Sequence, residues 1–281
     1  MFNRRMEYRK VKKSGYCVNG RASNDYTHFS LKCITRFGCP AVLILLFILL
    51  KYLIYHSSNN LRDDKEKRMN IEEIENNKIP KGHVTLVGLG RLGIRTGLNL
   101  TQIHRGGPQK ITAIDSQKIS AGDIIFKILG GKPGEYKVDF LHELRGIKEV
   151  TPIREDINLE NLDLISADVV CVEIAGGNTI PTTAAIVKRA HELGAATIST
   201  AGVFGIGNDK IEVMDISQAD YNNPVANELK AEGITENHTI ITTGKFIRDV
   251  EPVTPYVLDE IAKHITIEIM KALQAKFQVL N

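Results

Sequence analysis

Three glycines, Gly88, Gly90 and Gly93, are spaced G-x-G-x-x-G within HVTLVGLGRLGIRTGLNL, and the next apolar run, KITAID, ends on Asp115. These residue types suit phosphate chemistry. Glycine lets the backbone come close to a phosphate, and the free N–H groups of a following helix supply donors and partial positive charge. A carboxylate one strand later can accept hydrogen bonds from a ribose. Two reactions use such a cradle: hydride transfer with a nicotinamide dinucleotide, and nucleotidyl transfer from ATP. A third reading asks less of the same residues, with the glycines only permitting tight strand-to-helix packing and Asp115 a solvated strand end.

A cradle of this kind needs a strand before it and a helix after it. HVTLVGLG is a Val/Leu-rich buried strand, RLGIRTGLNLTQIH spaces its apolar residues as a helix does, GGPQ turns the chain, and KITAID is a second strand. Beyond this βαβ unit the pattern predicts a polar loop, a helix near Lys137–Leu144 and a short strand at Glu149–Ile153. ADVVCVEIA is then a buried strand, TTAAIVKRAHELG a helix and ATISTAG another strand. Such alternation implies an α/β fold, a Rossmann-like doubly wound and mainly parallel sheet with helices on both faces. KIEVMDI and TIITTGKFI read as antiparallel C-terminal additions, and TPYVLDEIAKHITIEIMKALQAKF as a long closing helix begun by Thr254 and Pro255.

Charge divides the 281 residues at about position 68. Residues 1–68 hold 14 Lys+Arg against 5 Asp+Glu, a net of +9, and residues 69–281 hold 22 against 28, a net of −6. The basic balance therefore belongs to a leader, and the acidic remainder argues against a nucleic-acid partner, whose phosphates need clustered Lys and Arg. Within the leader, residues 37–55 form a 19-residue run with one charge, Lys51, near the lower limit for crossing a bilayer. Two readings stand: a membrane anchor, or a non-native extension upstream of a start at Met69. An anchor would by the positive-inside rule carry the remainder outward, away from cytoplasmic ATP; without it the domain is cytoplasmic. Cys17, Cys33 and Cys39 lie in the leader and only Cys171 beyond it, so residues 69–281 have no disulfide framework and no Cys-x-x-Cys zinc site. His83, His104, His142, His191, His238 and His264 show no ligand-like spacing and read as structural.

VTLVGLGRLGIRTGLNL, KITAIDSQKISAGDI and EYKVDFLHEL together resemble the ubiquitin-activating-enzyme-like superfamily, whose bacterial members are the ThiF/MoeB adenylyltransferases. The likeness spans most of residues 82–275, including the closing helix. It implies binding of ATP and Mg2+, transfer of AMP to a carboxylate with release of pyrophosphate, and a homodimer. In the segment after the second strand the family has an Asp, a hydrophobic residue and an Asn at four-residue steps, here Asp115, Ile119 and Asp123. The family's catalytic lysine matches Lys137 in KVDF, where a cation would offset charge on the triphosphate; on its own this residue would read as a surface lysine.

Departures from the family narrow the function. Arg91 stands where a second glycine is usual, which implies either a tighter phosphate turn or a cationic contact to it. Phe126 takes the place of an arginine, with Lys127 beside it as a replacement charge. Ala175 occupies the position of a magnesium-associated Asp, which leaves Glu173, two residues earlier, as the candidate catalytic carboxylate; its alternative role is a strand-end carboxylate capping a helix. No cysteine suits thioester or persulfide chemistry, Cys171 being a small core residue, and no zinc is expected, so adenylation of a small-molecule carboxylate remains. In its size from Met69 and its lack of both cysteine features the chain resembles a short branch of the family. That branch adenylates the pyridinol carboxylate of the iron-guanylylpyridinol cofactor precursor of methanogen iron-only hydrogenase, before a downstream enzyme forms the thioester. The polar segment from Asp215 to His238 falls where relatives place the crossover loop over the acceptor, or is an ordinary surface excursion. The other function classes are an NAD(P)-dependent oxidoreductase, which has no use for Lys137, and a non-catalytic nucleotide-binding partner.

Overall fold

The structure, a computed structural model, describes residues 79–278 together with Lys51, Ile71 and Glu75. The expected leader and its apolar run at 37–55 lie outside the described residues apart from Lys51. Among the described residues no helix is long and apolar enough to cross a membrane.

Seven strands form one sheet: β1 (His83–Val87), β2 (Lys110–Ile114), β3 (Glu149–Ile153), β4 (Val169–Val172), β5 (Ala196–Thr200), β6 (Glu212–Asp215) and β7 (His238–Thr242). Their order is β3-β2-β1-β4-β5-β7-β6, all parallel but for β6, which runs antiparallel to β7. The helices are α1 (Gly93–Thr101), α2 (Ile124–Ile128), α3 (Lys137–Glu143), α4 (Ile180–Glu192), α5 (Pro224–Ala231) and α6 (Pro255–Gln278). Alternate strand residues face opposite sides, so Val84 and Leu86 of β1 pack with Ile94 and Leu100 of α1, Leu141 of α3, and α6. On the other side Val170 and Val172 pack under Ile186 and Ala190 of α4. Along α6, Val257, Ile261, Ile265, Ile269 and Leu273 recur every four residues and are all buried. That stripe explains why a 24-residue helix lies flat on the sheet, and truncating Ile269 to Ala would cost about 2–5 kcal/mol.

The doubly wound reading of the sequence holds, and KIEVMDI and TIITTGKFI form the expected antiparallel pair, β6 with β7; β7 in addition pairs parallel to β5. β6, running opposite in direction to β5 and β7, returns the chain to the end where β5 starts, and after α5 the chain enters β7 from that end, parallel to β5. The helix itself lies within the polar segment Asp215–His238. Asn223 accepts the Ala226 N–H at its start, Pro224 occupies its first turn, and Ala226 and Leu229 are buried against α4. The middle of that segment is thus a packed helix and not a free excursion over the sheet.

The strand order reverses between β1 and β4, and open α/β sheets bind ligands in the crevice beyond the carboxyl ends at such a point. Here the two carboxyl ends carry Gly88 and Glu173.

Candidate nucleotide site

Gly88 leaves β1 with a φ of +96°, in the region that favours glycine, and its α-carbon lies on the main chain of Glu173. A Cβ there would fall 2.9 Å from the Glu173 carbonyl carbon and oxygen. Gly93 opens α1 so close to the preceding turn that a Cβ would sit 2.0 Å from the Gly88 carbonyl oxygen. A Cβ on Gly90, by contrast, would meet nothing within 4 Å. The first and third glycines therefore build the turn, and the second faces open space from which a phosphate can approach.

Asp115 holds this turn to the loop after β2. It is buried, and its two carboxylate oxygens accept the Leu89 N–H at 2.6 Å and the Gln117 N–H at 2.7 Å. Each oxygen keeps a lone pair for a ribose hydroxyl.

Lys137 is the first residue of α3 and only 4% exposed. Its ammonium donates to Gln117 Oε1 at 2.7 Å, lies 3.7 Å from Asp123 Oδ1, and sits 5.6 Å from the centre of the Phe126 ring. The Lys137 N–H also donates to the Gln117 carbonyl, so Gln117 fixes both ends of the residue. Burial alone would raise the Asp123 carboxyl, but the Ser120 N–H and hydroxyl, followed by the Lys137 and Arg91 charges, outweigh it and hold Asp123 below the usual carboxylate range. Arg91, Asp123 and Lys137 are thus one electrostatic cluster beside the glycine turn. Lys127 stands apart from it: exposed on α2, it donates to the Ala121 carbonyl at 3.2 Å. Phe126 is fully buried against Phe140, and its face supports the Lys137 ammonium.

Glu173 caps no helix. Its carboxyl lies buried beneath the turn, accepting from the Thr96 hydroxyl of α1 at 3.0 Å and weakly from the Cys171 thiol at 3.5 Å. Burial lifts it to about 7 against those two hydrogen bonds. Cys171 is itself buried, and burial first, then Glu173, raises its thiol well above the usual range, so it is no nucleophile. Gln117 and Thr96 are the site residues that motif reading passes over. The signal for Gln117 was its place two residues after Asp115, and for Thr96 its place one turn into the phosphate helix.

The chain is 56% identical to HcgE of Methanothermobacter marburgensis, whose structure with guanylylpyridinol and ATP bound matches at a TM-score of 0.69 over 71% of this chain and 98% of that one. It is also 48% identical over 209 residues to an uncharacterised protein of Methanocaldococcus jannaschii, covering 74% of this chain and 84% of that protein. The chain belongs to the HcgE family. No family model matches it. The fold extends further, to the ATP-bound tRNA threonylcarbamoyladenosine dehydratase TcdA of E. coli at 16% identity and a TM-score of 0.61, over 72% of this chain and 89% of that one. The HcgE-family chain therefore has the ThiF/E1-like fold that the glycine turn, Asp115 and Lys137 pointed to.

Proposed function

We propose that the chain adenylates the carboxylate of guanylylpyridinol with ATP, releasing pyrophosphate. The observation that carries this reading is the HcgE structure that holds guanylylpyridinol and ATP together in a protein 56% identical to this one. The ThiF-like turn and the buried Lys137 beside it supply the chemistry. A carboxylate oxygen attacks the α-phosphorus, the bond from that phosphorus to the bridging oxygen breaks, and the pair leaves as pyrophosphate while the acyl-adenylate forms. The turn from Gly88 to Gly93 presents its N–H groups to the phosphates, Asp115 accepts from the ribose, and Lys137 stabilises charge gathering on the transferring group. Gln117 and Asp123 act through Lys137 by fixing its ammonium. Asp123 is also the anion that the triphosphate must displace from that ammonium.

Mg2+ would come with the ATP. Among the described residues no group of three or more His, Cys, Asp or Glu side chains is placed to hold a metal ion. Mg2+ generally keeps several waters and binds chiefly through the phosphates, and Asp123 is the carboxylate already in the cluster. We take the working form to be a homodimer in the cytoplasm, where ATP is abundant, with the acyl-adenylate passed to a thioester-forming enzyme.

Pyrophosphate release from ATP with guanylylpyridinol tests the proposal. Wild-type protein should release it only when the carboxylate is present. Lys137→Ala should lower kcat by roughly 10²–10³-fold, the usual cost of removing one transition-state donor. Binding of NAD(P) without ATP, indifferent to Lys137→Ala, would overturn the reading in favour of an oxidoreductase.

A further inference from the structure

Phosphate binding at the glycine turn depends on where its N–H groups point, and one side chain outside the motif controls part of that. The N–H groups of Gly90, Arg91, Leu92 and Gly93 meet no acceptor among the described residues, so they are the donors left for a ligand. A trans peptide unit holds its C=O and N–H antiparallel, so whatever grips a carbonyl also aims the next residue's N–H the opposite way. The Gly90 carbonyl accepts the Ile94 N–H at 3.1 Å, and the Leu92 carbonyl accepts the Arg95 and Thr96 N–H groups at 2.9 and 3.1 Å. These main-chain bonds aim the N–H groups of Arg91 and Gly93. Among the described residues the Arg91 carbonyl has no main-chain partner. It accepts instead from Arg95 Nη1 at 2.7 Å, so the direction of the Leu92 N–H is set by a side chain.

Arg95 is held at its other end as well. Its Nε donates to Asp259 Oδ1 at 2.5 Å, near the start of α6 and 164 residues further along the chain. The guanidinium is a rigid plane, so with Nε fixed on Asp259 its Nη1 has little freedom to leave the Arg91 carbonyl. The Arg95 side chain is 11% exposed and that of Asp259 60%, which puts the anchor at the surface and the grip beside the turn. A surface ion pair adds little to stability, so the value of this one lies in orientation.

We propose that Arg95 is a positioning residue for the phosphates of the nucleotide: braced by Asp259, it pins the peptide unit between Arg91 and Leu92 so that the Leu92 N–H faces the incoming ligand. Seating the phosphates of ATP at this turn is the one part taken from the function proposed above. Arg95 acts through the main chain and needs no contact with the nucleotide. The glycine spacing does not include it, since it lies two residues beyond Gly93.

Titration of the full chain with ATP and, separately, with adenosine tests this. Arg95→Gln should weaken ATP at least tenfold, and Asp259→Ala at least threefold. Arg95→Lys keeps the charge but has one nitrogen for two acceptors, and should weaken ATP at least fivefold. Adenosine, which meets Asp115 and brings no phosphate, should bind all three variants within twofold of wild type, a contrast that general loosening of the fold would erase. Arg95→Lys binding ATP as tightly as wild type leaves only charge at work and overturns the proposal. Equal losses of ATP and adenosine across the variants overturn it too, because the residue then serves the fold and not the phosphates. Both results leave the adenylation reading standing if wild-type protein binds ATP more tightly than adenosine. Wild-type protein that binds the two equally removes the phosphate seat, and both readings fall.

Discussion

Beneath the glycine turn, the Glu173 carboxyl has the Thr96 hydroxyl and the Cys171 thiol for partners, and burial lifts it to about 7. Near neutral pH it therefore exchanges between a neutral acid and a carboxylate at a point where ATP brings several negative charges to the turn above. ATP affinity should fall by roughly tenfold as pH rises from 6 to 8, since an ionised Glu173 repels the phosphates through a poorly solvated layer. Calorimetric titration at the two pH values checks this, and Glu173→Gln should remove the difference. The sequence shows a Glu at a strand end, a position that reads as a catalytic carboxylate or a helix cap, because nothing in one dimension says that Gly88 covers it. Asp115 was legible because the glycine motif fixes its place at the end of the next strand, and Lys137 because KVDF resembles the family's lysine segment. Gln117, which holds Lys137 at both ends, belongs to no such motif, and only the folded loop brings the two together.

At the scale of elements, the turn between β1 and α1 divides its glycines by task. Gly93→Ala puts a Cβ 2.0 Å from the Gly88 carbonyl, so the turn must open, with loss of stability and of ATP binding together. Gly90→Ala meets nothing within 4 Å and should leave the urea midpoint almost unchanged while weakening ATP by roughly tenfold, because its methyl occupies the space a phosphate needs. Parallel urea unfolding and ATP titration of the two variants distinguish these outcomes; equal effects on stability would refute the division. The strands flanking this turn could be read from composition alone, as could α3 and α6, since their apolar spacing matches the burial it predicts. The direction of β7 could not. It follows from the strand order, which puts β7 between β5 and β6 and so makes it parallel to one and antiparallel to the other, and nothing local in HTIIT records that placement.

For the molecule as a whole, two buried groups set opposing pH dependences. His238 is fully buried, its ring between Thr197 and Ser199 at 2.8 Å each. Burial, then the neighbouring His191, hold it down to about 4 from an ordinary 6.5, with Asp215 opposing. The unfolded chain thus takes the proton first as pH falls, and stability from this group is lost between 6.5 and 4. Glu173 works the other way. Its folded value of about 7 exceeds an ordinary 4.5, so stability is lost as pH rises from 4.5 through 7. Each amounts to roughly 3 kcal/mol, and between pH 4.5 and 6.5 they nearly cancel. Urea midpoints of the wild type should be flat across that range, whereas Glu173→Gln should show stability rising with pH as the His238 contribution is uncovered. A flat profile in that variant would contradict the assignment.

The two margins of the sheet are unlike. β3 closes one side and carries Pro152 opposite Ala113, so its outer margin lacks an N–H in mid-strand; β6 closes the other with no proline, so the N–H groups on its outer side are able to donate. Proline at an edge blocks the addition of a further strand. Any extension of this sheet by another chain, productive or aggregating, is therefore confined to the β6 side, and self-association has a direction built into it.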